Sequence, residues 1–364
     1  MKIRQFALAV ILIGAILCAG CTPAEPAATT TVTSPATTET SEPTSDVYNL
    51  YYGAGASTSG YFVWHVALSK VVDKYLPNIN LTVIETGATI DDLNGLRDGY
   101  WDIAGHGGDV PTLFEIIRGE PPSFEGKAYP EARLFWARSS LWFSIVVTED
   151  SGITKVAELD GKAFCPGYTG SNAAKEFQRV AATLGIEPDF YYADWADALK
   201  ALSDGHIVGV YKSSTWGAID SSLKEVSLTK PLNIIGFSEE EAETLVTEEP
   251  FYTDEMIIHL PKGTVADYPD AGDFWVDKRV AVQAASPRLP QEIGYQIVKA
   301  WHQHHDEVVA AFPKVGEEGD PMDLLMQCAP KDSEMKLHAG VVQYAKELGL
   351  DVDPSQIPPE YQEP

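Results

Sequence analysis

The stretch SGITKVAELDGKAFCPGYTGSNAAKEFQRVAATLGI, residues 151–186, begins an α/β series in the middle of the chain. In it Gly167, Gly170, Ser171 and Asn172 directly precede an amphipathic run. Such a loop presents bare backbone N–H groups and a capping side chain at a helix start, an arrangement suited to an anion. It is not a Walker loop, because Lys175 lies four residues beyond Ser171 and no G-K-[ST] follows. It is not a dinucleotide fingerprint either, since the third glycine and a ribose-binding acid are missing. A carboxylate or similar small anion fits it best.

Upstream, strand and helix patterns already alternate. VYNLYYGAG (47–55) reads as a strand and YFVWHVALSKVVDKYL (61–76) as a helix. INLTVIET (79–86), TIDDLNGLRDG (89–99), WDIAGH (101–106) and VPTLFEIIRG (110–119) repeat the strand–helix order. Short links between them imply largely parallel sheets covered on both faces. ARLFWARSSLWFSIVVTED (132–150) is a long β-rich run able to leave one sheet and enter another, and TDEMIIHLPKG (253–263) reads as the strand that returns. RVAVQAAS (279–286) and the helices in 290–312 and 332–350 complete the chain. The expected fold class is α/β with two lobes: residues 47–145 and 250–364 form the first with its C-terminal helices, and 146–249 the second. Ligands of open α/β sheets sit at strand carboxyl ends, so the crevice between lobes is the place to look.

The 364 residues carry a net charge of −27, and removing Lys2 and Arg4 with the first 20 residues brings it to −29. A surface this acidic repels nucleic-acid backbones. The start, MKIRQFALAVILIGAILCAGC, has a cationic end and a short apolar run from Phe6 to Ala19, the pattern of a secretory signal in residues 1–20. LCAGC resembles a lipoprotein cleavage site with Cys21 as the lipidated residue, although Cys18 stands where leucine is usual. Residues 21–46 are rich in Thr, Pro, Ala and Glu and lack aromatics, as a disordered tether does. The expected location is outside the cytoplasm, held at the membrane by an N-terminal lipid. Besides Cys21, the mature chain has Cys165 and Cys328, which that compartment leaves either bonded or free.

Three loops follow strands and open helices: GASTSGY (55–61), TGATIDD (86–92) and GYTGSNA (167–173). Each joins glycine to hydroxyl side chains, and their spread over both lobes points to a ligand cradle. Enzyme signatures are weak. Ser57 is not in a G-x-S-x-G elbow, and SSLK (221–224) lacks its S-D-N and K-T-G companions. HQHHDE puts His302, His305 and Asp306 near one another, better read as a solvated helix face than a metal site. His106 and Asp109 in HGGD follow a strand pattern where a pocket wall belongs. Arg138, in the middle of the crossing strand, pairs with an acid or meets an anionic ligand, because burying it alone is costly. Aromatic residues gather near these loops: Tyr61, Trp64, Trp136, Trp142, Tyr168 and Trp216.

Taken together, these segments resemble the TAXI family, the extracytoplasmic solute receptors of TRAP transporters. GASTSGYFVWHVAL resembles its first loop and helix, and ETGATIDDLNGLRDGYWDIAGHGGDV its second loop and the strand leading to an aspartate, here Asp109. The quoted stretch 151–186 resembles its second-domain opening, with Gly167, Gly170 and Ser171 in register, and LHAGVVQYAKELGL its terminal helix. The resemblance covers nearly all of residues 47–350. It implies a two-lobed type II periplasmic-binding-protein fold, a small organic acid or amino acid as ligand, a TRAP-type permease as partner, no cofactor and no catalysis. The departures line the presumed cleft. Asp92 replaces an asparagine, Gly107-Gly108 a polar pair, Asn172 a glycine, and KSSTWGA (212–218) a loop bearing Gly and Pro.

The expected ligand-binding residues are Ser57, Thr58, Ser59 and Gly60, then Thr86, Gly87 and Thr89, then Asp109 and Arg138. In the second lobe they are Tyr168, Thr169, Gly170, Ser171 and Asn172, with Thr215 and Trp216. Closure is expected to bend near Val146 and Pro250. The alternatives are a ligand-sensing lipoprotein of the same fold and an extracytoplasmic enzyme with His106 and Asp109 as its acid–base pair.

Overall fold

The computed structural model describes residues 47–57, 60–121, 123–249, 251–311, 313 and 319–364. In chain order the elements are β1 (Tyr48–Gly53), α1 (Gly60–Tyr75), β2 (Ile79–Ile84), α2 (Thr89–Asp98), β3 (Ile103–Ala104), α3 (Val110–Arg118) and β4 (Arg133–Thr148). There follow β5 (Ala163–Cys165), α4 (Asn172–Leu184), β6 (Asp189–Phe190), α5 (Trp195–Ser203), β7 (Gly209–Thr215), α6 (Ser221–Ser227), β8 (Leu232–Ile235) and α7 (Glu239–Glu248). Last come β9 (Ile257–Leu260), β10 (Phe274–Ala285), α8 (Gln291–Gln303), α9 (His305–Val309), α10 (Pro321–Cys328), β11 (Lys336–Leu337) and α11 (Ala339–Glu347).

β4 sets the architecture. Its 16 residues are buried from end to end, and at roughly 3.3 Å per residue they reach about 50 Å, enough to serve two lobes. The strand order β2-β1-β3-β10-β4-β7-β5-β6 runs through it, with β8 and β11 also pairing β4 and β9 pairing β10. β1 pairs β2 and β3 in parallel, and β5 pairs β6 and β7 in parallel. Every antiparallel pairing involves β4 or β10. The sheet is therefore mixed, with parallel layers in each lobe and an antiparallel seam where the chain crosses between them.

The return crossing is made by β10 and not by residues 253–263, whose strand β9 only pairs along the first half of β10. The start of β10 carries Asp277, Lys278 and Arg279 in a row, which reads as solvated chain; Asp277 and Arg279 are nevertheless buried because they pair with each other. Along the β10–β4 pairing the register shifts between Ala281 and Val282. The hydrophobic cores change hands at the same place. One core draws on residues up to Ala137 and from Val282 onward, while two others draw on residues between Leu141 and Ala281. A bulge bends its strand, so the joint between lobes sits where the ladder is already interrupted. That boundary differs from one at 146 and 250: Val146 is fully buried inside a second-lobe core, and β9 packs there too, while Pro250 lies outside the described residues.

The α/β class and the two lobes expected from the sequence are both present. Cys165 is buried in β5 and Cys328 ends α10, both as free thiols. Among the described residues no helix is long and apolar enough to cross a membrane. The expected signal segment, the tether and Cys21 lie outside the described residues.

Candidate functional site

A cavity of about 660 Å³ opens between the lobes. From the first lobe its wall takes Gly55, Tyr61, Gly87, Thr89, His106, Asp109 and Arg138; from the second, Tyr168, Ser171, Asn172, Trp195, Lys212, Thr215 and Asp220. Ser171 is the N-cap of α4, its hydroxyl accepting the Ala174 N–H at 3.1 Å, so the start of a 13-residue helix faces the cavity. Gly167 makes this turn possible. Its φ is +128°, and a β-carbon there would lie 2.6 Å from Ser171 Oγ.

Two buried cations face this space. Arg138, on β4, lies over the Tyr61 ring, its guanidinium carbon 3.6 Å from the ring centroid. Lys212, on β7, has its ammonium 4.1 Å from the Trp195 ring centre and 3.7 Å from Asp220. Burial pushes the Lys212 ammonium below its usual range, against the pull of Asp220. His106 is held down to about 3 by burial and then by the Arg138 charge, so its ring is neutral. Its Nδ1 faces the Ala54 carbonyl at 3.3 Å, and its backbone N–H donates to Asp92 Oδ2 at 2.9 Å.

The expected residues are placed unevenly. Gly87, Thr89, Asp109, Arg138, Tyr168, Ser171, Asn172 and Thr215 line the cavity. Tyr168 also crosses it, its hydroxyl donating to the Gly87 carbonyl at 3.1 Å. Ser57 is exposed and spends both its N–H and hydroxyl on Glu85. Thr86 sits behind the wall, accepting the Gly55 N–H at 2.8 Å and donating to Asp92. Thr169 and Gly170 are exposed at the rim. Trp216 packs edge-on against Trp142 and takes the Lys278 ammonium over its ring at 4.5 Å, so it is not part of the wall. Gly60 starts α1, while Thr58 and Ser59 lie outside the described residues.

Asp109 is already committed. As N-cap of α3 it accepts the Thr112 N–H at 2.9 Å and hydroxyl at 2.6 Å, and Arg279 Nη1 donates to its other oxygen at 2.5 Å. Since His106 turns to Ala54, the two do not form the acid–base pair of the enzyme alternative. Among the described residues no group of histidines, cysteines and carboxylates is arranged to hold a metal. His302 is occupied by Tyr344 and Asp320. Lys212 and Trp195 were not legible as site residues; a lysine inside the strand pattern VGVYKSS is the one signal, of the same kind as Arg138 in β4.

Residues 52–349 match the model of the NMT1-like family. The chain belongs to the NMT1-like family. No curated protein sequence matches it significantly. Among solved structures, this NMT1-like protein is similar to the alkanesulfonate-binding protein SsuA of Xanthomonas axonopodis pv. citri bound to MOPS, at 16% identity and a TM-score of 0.40, covering 78% of this chain and 83% of that one. It is also similar to a TctC solute-binding protein from Polaromonas, at 14% identity, TM-score 0.45 and coverages of 85% and 99%. The ligand-binding core of GluR0 from Nostoc punctiforme, in complex with L-glutamate, gives 10% identity, a TM-score of 0.44 and coverages of 75% and 100%. None of these likenesses bears on what the NMT1-like protein binds.

Proposed function

We propose that this NMT1-like protein is an extracytoplasmic solute-binding receptor of the TAXI type. It captures a small organic acid or amino acid between its lobes and delivers it unaltered to a TRAP-type permease. The observation that carries the reading is a buried cation from each lobe at the cavity wall, Arg138 and Lys212, the second with Asp220 at 3.7 Å. In a chain of net charge −27, a space of about 660 Å³ has a buried arginine from one lobe and a buried lysine from the other. Such a volume suits a small molecule, and desolvated cations with a helix start beside them favour an anion. Tyr61, Tyr168 and Trp195 supply surface for its apolar part.

The ligand bridges Arg138, the Ser171–Asn172 helix start and Lys212, contacts available together only when the lobes are shut. Binding and release suffice for this role, so no residue is assigned a catalytic step. Lipid on Cys21 and the tether of residues 21–46 keep the receptor near its permease. Mass spectrometry of small molecules released from purified, denatured protein tests the assignment: an unmodified organic acid is expected, and a cationic or neutral hydrophobic molecule would overturn it. Cys21→Ser is expected to free the protein from the membrane fraction, and continued membrane association would rule out the anchor.

A further inference from the structure

Beside the cavity one cation is shared by three carboxylates drawn from both lobes. Arg279 Nη1 donates to Asp109 at 2.5 Å and to Glu176, Nε donates to Asp277 Oδ1 at 2.7 Å, and Nη2 reaches the other oxygen of Asp277. None of the four side chains is more than 4% exposed. Asp109 caps α3 in the first lobe. Glu176 is on α4 in the second, and Asp277 and Arg279 lie on the second-lobe side of the β10 bulge. With every carboxylate ionised the cluster would hold a net charge of −2 away from water. Like charges in contact in such a site do not all ionise, so it needs a proton.

The hydrogen bonds say where that proton goes. Both oxygens of Asp277 meet Arg279, and Oδ2 also accepts from Tyr211 at 3.1 Å. Both oxygens of Asp109 are taken by Thr112 and Arg279. Glu176 Oε1 receives Arg279 and Asn172, but Oε2 is buried with no hydrogen-bond partner among the described residues. Lys175 and Arg179, on its own helix, both pair with Glu115 of α3. The Tyr252 hydroxyl is directed to the Glu176 backbone carbonyl at 3.5 Å. Burial, followed by Asp109 and Asp277, pushes Glu176 up to about 8 against the opposing pull of Arg279 and Lys175.

We propose that closing the lobes takes up one proton at Glu176, so that closure, and with it retention of whatever the cleft holds, weakens as pH rises. Opening withdraws Asp109 from Arg279 and Glu176 and admits water, and both changes favour the ionised carboxylate. The closed form is then fully favoured below the open-state value of Glu176. It loses about tenfold per pH unit up to the closed-state value and levels off above it. The inference uses the lobe closure of the proposed function but not the identity, or even the existence, of its solute.

The test needs no ligand. In full-length protein with its four cysteines replaced, nitroxides at Tyr100→Cys and Leu228→Cys, positions 70% and 83% exposed on opposite lobes, report the interlobe distance. The short-distance population is expected to fall as pH rises to about 8 and then to level off, and this dependence is expected to be lost in Glu176→Gln. Tyr168→Phe, which removes another interlobe contact without freeing a charge, lowers that population but keeps its pH slope. A flat wild-type profile, or an unchanged slope in Glu176→Gln, overturns the proposal. Infrared spectroscopy checks the proton itself: a protonated buried carboxyl band at neutral pH, diminished in Glu176→Gln, is expected, and an undiminished band is equally fatal.

Discussion

The guanidinium of Arg138 lies over the ring of Tyr61 at 3.6 Å, and this places a buried positive charge at the cavity wall beside the neutral ring of His106. Arg138→Gln keeps much of the volume and removes the charge. Affinity for the acid recovered from the purified protein should fall about tenfold to a hundredfold, corresponding to roughly 1.5–3 kcal/mol for a hydrogen bond to a charged group. His106 should titrate higher than about 3 in the variant, because one cause of its depression is gone, but still below an exposed histidine, because burial is the larger cause. Calorimetry and histidine NMR read the two effects; unchanged affinity removes Arg138 from the site.

Tyr168 joins the second lobe to the first through its bond to the Gly87 carbonyl. In Tyr168→Phe the ring still lines the cavity, and only the interlobe hydrogen bond is lost. The closed form should weaken by about 0.5–1.5 kcal/mol, which raises Kd twofold to tenfold through faster dissociation. The association rate should change little. If dissociation is unaffected, the contact contributes nothing to closure.

Much of this was legible in the sequence, and the misses share a cause. Strand–helix alternation and the long β-rich run of β4 reveal two α/β lobes, because those signals are local. The loops at Gly87–Thr89 and Tyr168–Asn172 are marked within a few residues by glycine and hydroxyl side chains, although only the second carries a capping side chain, Ser171, while Ala88 precedes the other helix uncapped. Residues 279–286 read as a separate run and not as the return crossing, because what extends that strand back past Asp277 is the pairing of Arg279 with Asp109 and Glu176, far away in sequence. Trp216 was expected on the ligand, yet its orientation is set by Trp142 and Lys278. Lys212 is hidden for the converse reason: nothing near it in sequence says that a cavity will form in front of it.

Gly167 and Ser171 offer a stability test that is independent of any ligand. Gly167→Ala imposes a left-handed backbone angle on alanine and drives its methyl into the capping hydroxyl. A loss of about 2–3 kcal/mol is expected from strain and the damaged cap. Ser171→Ala alone should cost about 1 kcal/mol. In the double variant the clash with Oγ is gone, so its cost should be less than the sum of the two. Strict additivity in denaturant melts would show that the methyl never reaches the cap.

Asp92 stands where the TAXI resemblance has asparagine, and burial lifts its carboxyl from 3.8 to about 7 despite hydrogen bonds from Thr86 and the His106 N–H. The folded value is above the unfolded one. The stabilisation is therefore complete only below about pH 4, is lost as pH rises to about 7, and changes no further above that. The full loss is about 4 kcal/mol for a displacement of this size. Asp92→Asn carries no such dependence. Its carbonyl still accepts the His106 N–H, and only the exchange with Thr86 is degraded, at a cost of about 1 kcal/mol. The variant should be slightly less stable than wild type near pH 4 and more stable by about 2–3 kcal/mol at pH 8, in urea titrations at the two pH values. Stability curves that run parallel across this range would mean that Asp92 is ionised in the folded protein with no penalty, and that burial at this position is offset by contacts other than those with Thr86 and His106.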